Sequence, residues 1–304
     1  MILGLYQNDT LFIASEIRNS WYTNGVNLIK QLFHTIIIIF FLVCCAGREV
    51  PAQTPDGKNS AANTAGEPAK IKEKVSRVLK AAEIPARLGK NIEESVNNPD
   101  SNLFLGMLGR IVNDNDKYLR ILVDKQHALG ADYEPADLIP LQYKSYRAGI
   151  TDPMMLRQKA EAALEEMAAA ARASGFNLVV SSAYRSWEYQ VGSFDRWTAR
   201  LGLEQAERVS ARAGHSQHQL GLVADFGAIN NNFADSAVGK WIAANAGRFG
   251  FSLSYPQGYE EITGYAWESW HYRYVGTELV NFIDSWFDGI QQYALRFIHE
   301  WEND

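Results

Sequence analysis

Two histidines and two acidic residues occur in two short segments whose chemistry suits a catalytic metal site. His218 and Asp225 share one segment, and Glu268 and His271 share another. A catalytic zinc ion keeps three protein ligands and leaves its fourth position to water, whose pKa falls towards about 7. Two imidazoles and one carboxylate can bind such an ion, and the second carboxylate remains for proton transfer. The pattern therefore predicts a hydrolase.

The sequence around Asp225 favours a role as a metal ligand. Residues 222–226 are apolar apart from Asp225 and predict a short buried strand, which a turn at Gly221 precedes. A buried carboxylate is unfavourable unless it pairs with a charge or a metal ion. Taken alone, Asp225 could instead cap a turn, and His218 could be an ordinary core histidine. The second segment, added to the first, favours the metal site.

Three sequence segments carry a family resemblance that extends from about residue 119 to residue 275. They are SSAYRSWEYQ at 181–190, RAGHSQHQLGLVAD at 212–225 and TGYAWESWHYRY at 263–274. In order, spacing and content they closely resemble the VanY-like D-alanyl-D-alanine carboxypeptidases. These are zinc peptidases of the cell wall whose fold is shared with the Hedgehog signalling domain.

The resemblance implies a role for each matched residue. His218, Asp225 and His271 would hold one Zn²⁺ per chain, and the activated water would attack a peptide carbonyl. Glu268 would act as general base and then as general acid, and Arg185 would stabilise the oxyanion. Three further residues would line the substrate pocket: Tyr184, Gln190 and Ser216.

Two positions depart from the family's pattern. Ala213 and Ser269 stand where the family often has proline. Neither position supplies a ligand or a proton, so the departures concern the rigidity of the loops. A second expectation follows from spacing, because residues three apart in a regular strand point to opposite faces. We therefore expect a bulge or a turn between Glu268 and His271.

The order of predicted elements indicates an α+β fold, an antiparallel sheet flanked by helices, as the Hedgehog/DD-peptidase resemblance also implies. A helix is predicted to start at Asp152–Pro153 and end at Gly175, and another to start near Asp235. The apolar face of the first would be formed by Leu156, Ala160, Leu164 and Met167. Further strands are predicted at 178–181, where the chain leads to Arg185, and at 251–255.

Segments on both sides of the predicted zinc domain, residues 118–276, have helical patterns. Residues 70–117 predict a helical lead-in, with Val75, Leu79, Ala82, Leu103, Met107 and Ile111 at helical spacing. We expect this lead-in to pack on the zinc domain, rather than to form a separate binding module. Residues 277–304 predict a helical tail that does not match the family's ending, and its role is open.

The N-terminal region predicts export. Residues 1–46 are interpreted as a signal region, because 35–46 form an uncharged apolar stretch of signal-peptide length that is short for a membrane span. Cys45 resembles the lipidated cysteine of a bacterial lipoprotein, which would anchor the protein to the membrane in the cell envelope. Ordinary cleavage after Ala52 is the alternative. Residues 47–69 predict a flexible linker.

Composition excludes several other classes. The 304-residue chain is 47% hydrophobic and carries a net charge of −6, and no basic cluster indicates a nucleic-acid partner. Both cysteines, Cys44 and Cys45, lie in the predicted signal, so histidines and carboxylates are the available metal ligands. His127 and His299 lie outside the three motif segments and are interpreted as structural residues.

The resemblance implies a D,D-carboxypeptidase that removes the terminal D-Ala from peptidoglycan stem peptides. An L,D-carboxypeptidase acting on tetrapeptide stems is a close alternative. A phage-type endopeptidase and a non-catalytic zinc-binding wall module are two others. The export signal argues against the endopeptidase, and the intact Glu268 and Arg185 argue against the non-catalytic module.

Overall fold

The computed structural model describes residues 66–98, 103–142 and 153–304. The signal region at 1–46 and the lipid anchor at Cys45 lie outside the described residues, as do Ala52, Asp152 and most of the linker, and all of these stay predictions. Among the helices of the described ranges, none has both the length and the apolar character that a membrane crossing requires.

A four-stranded antiparallel sheet forms the centre of the fold. Its strand order is β3-β4-β6-β5, with β3 at Val180–Ser182, β4 at Val223–Phe226, β5 at Phe251–Leu253 and β6 at His271–Tyr274. All four residues of β4 are buried, as the apolar run in the sequence predicts. The helix α4, Gln158–Ala173, contributes Leu164 and Met167 to the same core as Phe226. The predicted α+β class is confirmed.

The predicted start of α4 is wrong. Leu156 belongs to a strand, β2 at Met155–Arg157, which pairs with β1 at Leu138–Pro140. Its backbone pairs with Ile139, and the helix begins only at Gln158, without a side-chain cap. The edges of two strands also differ from prediction, since β3 begins at Val180 and β5 ends at Leu253.

Shorter elements connect the strands. These are α5 at Trp187–Leu201, α6 at Leu203–Val209, α7 at Ala237–Asn245 and α8 at Glu260–Thr263, with 3₁₀ helices at Lys117–Arg120, Gln217–Leu220, Asn231–Asp235 and Ala246–Phe249. The predicted helix near Asp235 corresponds to α7, whose first turn is capped by the Ser236 hydroxyl accepting from the Gly239 amide.

The lead-in and the tail together form a helical layer with its own hydrophobic core. It contains α1 at Gly66–Ala81, α2 at Ala86–Asn97, α3 at Leu103–Val112, α9 at Thr277–Trp286 and α10 at Gln291–Asn303. At its centre, the ring of Phe104 lies 5.2–5.3 Å from those of Phe282, Trp286 and Phe297. Lead-in and tail thus bury their apolar faces largely against each other.

Leu103 differs from the sequence-based expectation, because 64% of it is exposed. It is the first residue of α3, and the neighbouring Phe104 enters the core in its place, fully buried. Helical spacing alone could not show which of two adjacent apolar residues faces inward at a helix end.

We expect Phe104→Ala to lower the free energy of unfolding by about 3–5 kcal/mol, because it removes a ring of the lead-in that packs against three aromatic rings of the tail. Leu103→Ala is the matched control and should change that free energy by less than about 0.5 kcal/mol. Urea unfolding followed by circular dichroism measures both. Equal losses in the two variants would show that the layer does not depend on this cluster.

Candidate metal centre

The sheet register brings two of the predicted ligands together. Asp225 on β4 pairs with His271 on β6, and on the other side Asp225 pairs with Ser182 on β3. Directly paired residues of neighbouring antiparallel strands place their side chains on the same face. The carboxylate oxygen Oδ1 of Asp225 lies 3.2 Å from Nδ1 of His271.

His218 reaches the same face from the 3₁₀ helix that precedes β4. The turn between them passes through Gly221, whose φ is +69°, and an added Cβ there would lie 2.8 Å from Leu138 Cδ2. Only glycine satisfies both constraints without strain. The Nδ1 atom of His218 donates to the Ala183 carbonyl at 2.6 Å, so its Nε2 is left unprotonated. That Nε2 lies 3.3 Å from Asp225 Oδ2.

The donor atoms of His218, Asp225 and His271 fit a zinc ion. All lie within 4.8 Å of one another in buried positions. Ligand atoms at about 2.0–2.1 Å from zinc in a tetrahedron are about 3.3 Å apart. Each histidine nitrogen lies at a similar distance, 3.2 or 3.3 Å, from one of the two oxygens of Asp225. Asp225 Oδ1 also has no hydrogen-bond partner although it is buried. The cluster is therefore a possible metal site, and the role of each residue as a ligand stays a prediction.

Electrostatics favour the metal-binding forms of His218 and Asp225, whereas His271 would have to release a proton to bind a metal ion. Burial, helped by the charge of Arg185, lowers the pKa of His218 to about 4. Burial would raise the pKa of Asp225, but the neighbouring His218 and His271 lower it well below its ordinary value. Burial would likewise lower the pKa of His271, yet its contacts with Asp225 and Glu268 outweigh this effect and raise it to about 8.

Glu268 lies beside this cluster without belonging to a strand. A turn at residues 269–270 separates it from β6, so the expected irregularity between Glu268 and His271 is present. Its Oε2 lies 3.2 Å from His271 Nδ1, and its side chain is 17% exposed. Burial raises the pKa of Glu268 above its usual range, and the contact with His271 opposes that shift.

The sequence analysis did not identify Asn231, which holds the backbone on both sides of Glu268. The side-chain Nδ2 of Asn231 donates to the Trp267 carbonyl at 2.9 Å, and its Oδ1 accepts from the Ser269 amide at 3.0 Å. The second bond requires an N–H at position 269, which a proline would lack. Asn231, which is distant in sequence, therefore restrains the loop at Ser269, where the family often has proline.

Arg185 follows β3 in the chain and contacts the cluster from the side of that strand. Its Nη2 donates to Asp225 Oδ2 at 2.9 Å and its Nε donates to Ser182 Oγ at 2.9 Å. The side chain of Arg185 is 23% exposed and lines the cavity above the cluster. A guanidinium at this position is available to a negatively charged group that enters the cavity.

The cavity has a volume of about 400 Å³, and the three predicted ligands, Glu268 and Arg185 line it. Ser216 lines it too, and its role in substrate binding stays a prediction. Tyr184 and Gln190 do not, which differs from the sequence-based expectation. Gln190 is buried, and its Nε2 donates to the Ala211 carbonyl. Motif membership indicated the neighbourhood of these two residues but not the direction of their side chains.

Helix α5 provides the wall that the sequence analysis overlooked. Four residues spaced four apart line the cavity: Tyr189, Ser193, Trp197 and Leu201. The guanidinium groups of Arg196 and Arg200 lie over the rings of Tyr189 and Trp197, 5.8 and 5.7 Å from their centroids. The spacing of four was visible in the sequence and could have indicated one helical face.

Comparison with known proteins adds an independent finding. The family model described as VanY, D-alanyl-D-alanine carboxypeptidase, matches residues 153–277. A putative carboxypeptidase, YodJ, from Bacillus subtilis (strain 168) is 38% identical over 56% of this chain and 64% of its own length. A D-alanyl-D-alanine carboxypeptidase from Enterococcus faecalis (strain ATCC 700802 / V583) is 33% identical over 54% of this chain and 61% of its own. The chain thus spans a little under two thirds of both curated relatives.

A solved structure shares the fold. The LdcB LD-carboxypeptidase is 34% identical, with a TM-score of 0.50, over 56% of this chain and 85% of the solved one. Its reported structure concerns peptidoglycan recognition.

We expect the purified protein to bind a divalent transition-metal ion that His218→Ala loses and Glu268→Gln retains at near-stoichiometric occupancy. His218 is predicted to be a ligand, whereas Glu268 is predicted to transfer protons. The metal content of each variant after dialysis, measured by mass spectrometry, tests this. His299→Ala, at a histidine outside the cluster, is the control. Loss of the metal from Glu268→Gln would make Glu268 a ligand instead.

Proposed function

We propose that this chain, which belongs to the VanY family of D-alanyl-D-alanine carboxypeptidases, is a zinc-dependent D,D-carboxypeptidase with one Zn²⁺ per chain. It would remove the terminal D-Ala from peptidoglycan stem peptides. The observation that carries the proposal is the buried cluster of His218, Asp225 and His271, with Glu268 3.2 Å from one of its nitrogens and Arg185 2.9 Å from its carboxylate.

The proposed mechanism assigns proton transfer to Glu268. When bound by the three ligands, zinc would acidify a water molecule and polarise the substrate carbonyl. Glu268 accepts the water's proton and later delivers it to the departing amine. Its raised pKa suits both steps, because a carboxylate of ordinary pKa holds a proton poorly at neutral pH.

Arg185 would stabilise the negative charge that develops on the carbonyl oxygen. Its Nε bond to Ser182 fixes the guanidinium plane, while the Nη2 atom already meets the carboxylate of Asp225. A donor positioned in this way typically contributes about 3 kcal/mol to the stabilisation of the transition state.

The wall formed by α5 suits an extended peptide. From Tyr189 to Leu201 the helix advances about 18 Å, given about 1.5 Å per residue. An extended chain of about five residues, at about 3.3 Å each, has nearly the same length. Arg196 and Arg200 beside this wall would attract the acidic groups of a stem peptide.

An L,D-carboxypeptidase acting on tetrapeptide stems is the second candidate, because LdcB, an LD-carboxypeptidase, is 34% identical over 85% of its solved chain. A non-catalytic wall module accounts less well for Glu268 and Arg185 beside the metal cluster. The export and the lipid anchor at Cys45 that the sequence predicts would bring the enzyme to this substrate in the cell envelope, which cell fractionation would test.

Synthetic stem peptides distinguish the candidates. We expect a pentapeptide ending in D-Ala-D-Ala to release one D-Ala, with the tetrapeptide cleaved at least about tenfold more slowly, a gap of roughly 1.4 kcal/mol. Mass spectrometry of the products measures both rates. The C-terminally amidated pentapeptide is the control, because a carboxypeptidase pocket pairs with the free carboxylate. Faster cleavage of the tetrapeptide would establish the L,D-activity, and equal cleavage of the amide would indicate an endopeptidase.

Variants of Glu268 and Arg185 should separate their roles. We expect Glu268→Gln to lower kcat by about 10²–10⁴, because the general base and acid is lost. Arg185→Ala should lower kcat more than it raises KM, because it acts on charge present only in the transition state. Steady-state kinetics on the preferred peptide measure both, with the exposed Arg248→Ala as control. A rise in KM alone would assign Arg185 to substrate binding.

A further inference from the structure

We infer that Gln292, at the start of α10, positions the loop of residues 214–219, which leads into the 3₁₀ helix of the predicted ligand His218, and that it acts through Asp124. The adjacent Gln291 would support the same loop through Ser254. The inference builds on the proposed metal site, and it gives the tail a role that neither the motifs nor the family match assigns.

The first connection runs from Gln292 to His215. The Nε2 atom of Gln292 donates to Asp124 Oδ2 at 2.7 Å, and both residues are almost fully buried. The backbone carbonyl of Asp124 accepts from Nδ1 of His215 at 2.7 Å. His215 stands three residues before His218 in the sequence, so a shift of Asp124 would move the start of this loop.

Asp124 is well suited to transmit the position of α10. Its Oδ1 accepts from the backbone amides of Gln126 and His127 at 2.9 and 3.0 Å and lies 2.8 Å from Nδ1 of His127, which leaves Oδ2 for Gln292. Burial would raise the pKa of Asp124, but the bonds from Gln126 and His127 lower it, so the group accepts as a carboxylate. A carboxylate that accepts on both oxygens is held in a single orientation.

The second connection runs from Gln291 to Gln217. The Nε2 atom of Gln291 donates to the Ser252 carbonyl at 3.3 Å, and its Oε1 lies 3.3 Å from the Ser254 hydroxyl. That hydroxyl donates to Oε1 of Gln217 at 2.7 Å. Gln217 directly precedes His218, so two adjacent glutamines reach two points of one short loop.

The position of these residues in the chain makes the connection informative. Gln291, Gln292 and Asp124 all lie outside residues 153–277, the part that the family model matches. The helical layer therefore connects to this loop through polar groups, Gln292 by way of Asp124 and Gln291 by way of Ser254, where an apolar contact would have sufficed for packing alone. Groups that hydrogen-bond directly to metal ligands typically change metal affinity by about 10–100-fold when they are lost. Gln292 acts further out, through Asp124 and His215, so we expect an effect at the lower end of that range.

The test exchanges the polar groups of residues 124 and 292 in the full-length chain. Gln292→Glu places a second carboxylate against Asp124 and breaks the bond. Asp124→Asn combined with Gln292→Glu restores it with reversed polarity, because the asparagine amide donates to the glutamate while its oxygen still accepts from the two backbone amides. We expect the single variant to weaken zinc binding at least about tenfold and the double variant to recover most of it.

Two readouts need no peptide. The zinc dissociation constant is measured by competition with a chromophoric chelator, and hydrogen exchange of the amides at residues 214–219 is measured in the metal-free protein. Exchange should accelerate in Gln292→Glu and return towards the wild-type rate in the double variant. Because neither readout uses hydrolysis, failure of the proposed carboxypeptidase activity would leave this test valid.

Ile298→Val is the matched control, since Ile298 lies in the apolar core of the same helix. It should lower the melting temperature without changing zinc affinity or loop exchange. Gln292→Met, which keeps the volume and removes the donor, replaces Gln292→Glu if that variant does not fold. If the glutamine variants behave like Ile298→Val, or if the folded double variant does not recover zinc binding, the inference is wrong and Gln292 merely anchors the tail.

Discussion

The ionised carboxylate of Asp225 is the constraint on which the centre of this protein depends. It is 2% exposed in the middle of a sheet, where an unpaired charge would be strongly destabilising. The register of β4 against β6 provides His271, the glycine turn before β4 provides His218, and β3 leads to Arg185. Each surrounding element thus contributes one partner to the same charge, so the architecture and the proposed chemistry share one electrostatic requirement.

The helical layer adds a long-range requirement. Phe104 belongs to the segment before the family domain, whereas Phe282 and Phe297 belong to the segment after it, and their rings meet in one cluster. Closing a loop of this length has an entropic cost that only later contacts recover. The helices α1–α3 therefore cannot complete the burial of their apolar faces until the last helices of the chain are present, and the family domain lies in sequence between the two halves of this core.

The sequence allowed the site to be predicted better than its surroundings. Motif spacing located the buried strand at Asp225, the turn at Gly221 and the break before His271, because these depend on neighbours in the chain. It failed at Leu156, which pairs as a strand with a distant segment, and at Gln190, whose amide turns to the Ala211 carbonyl. The hydrogen-bond partners of the tail could not be predicted either, because nothing in the sequence around Gln292 indicates a bond to Asp124.

The two hydrogen bonds of Asn231, to residues 267 and 269, link position 231 to position 269 of the chain. Its Oδ1 uses an amide hydrogen that exists only because residue 269 is not proline. A proline ring would stiffen the segment around Glu268 through its fixed backbone angle, whereas this chain stiffens it through a side chain from the 3₁₀ helix at Asn231–Asp235. The bond to Asn231 Oδ1 and a proline at 269 exclude each other, because the bond needs the amide hydrogen that proline lacks. A proline at 269 would remove the Oδ1 bond but leave the bond from Asn231 Nδ2 to the Trp267 carbonyl, so the segment around Glu268 would exchange one restraint for another.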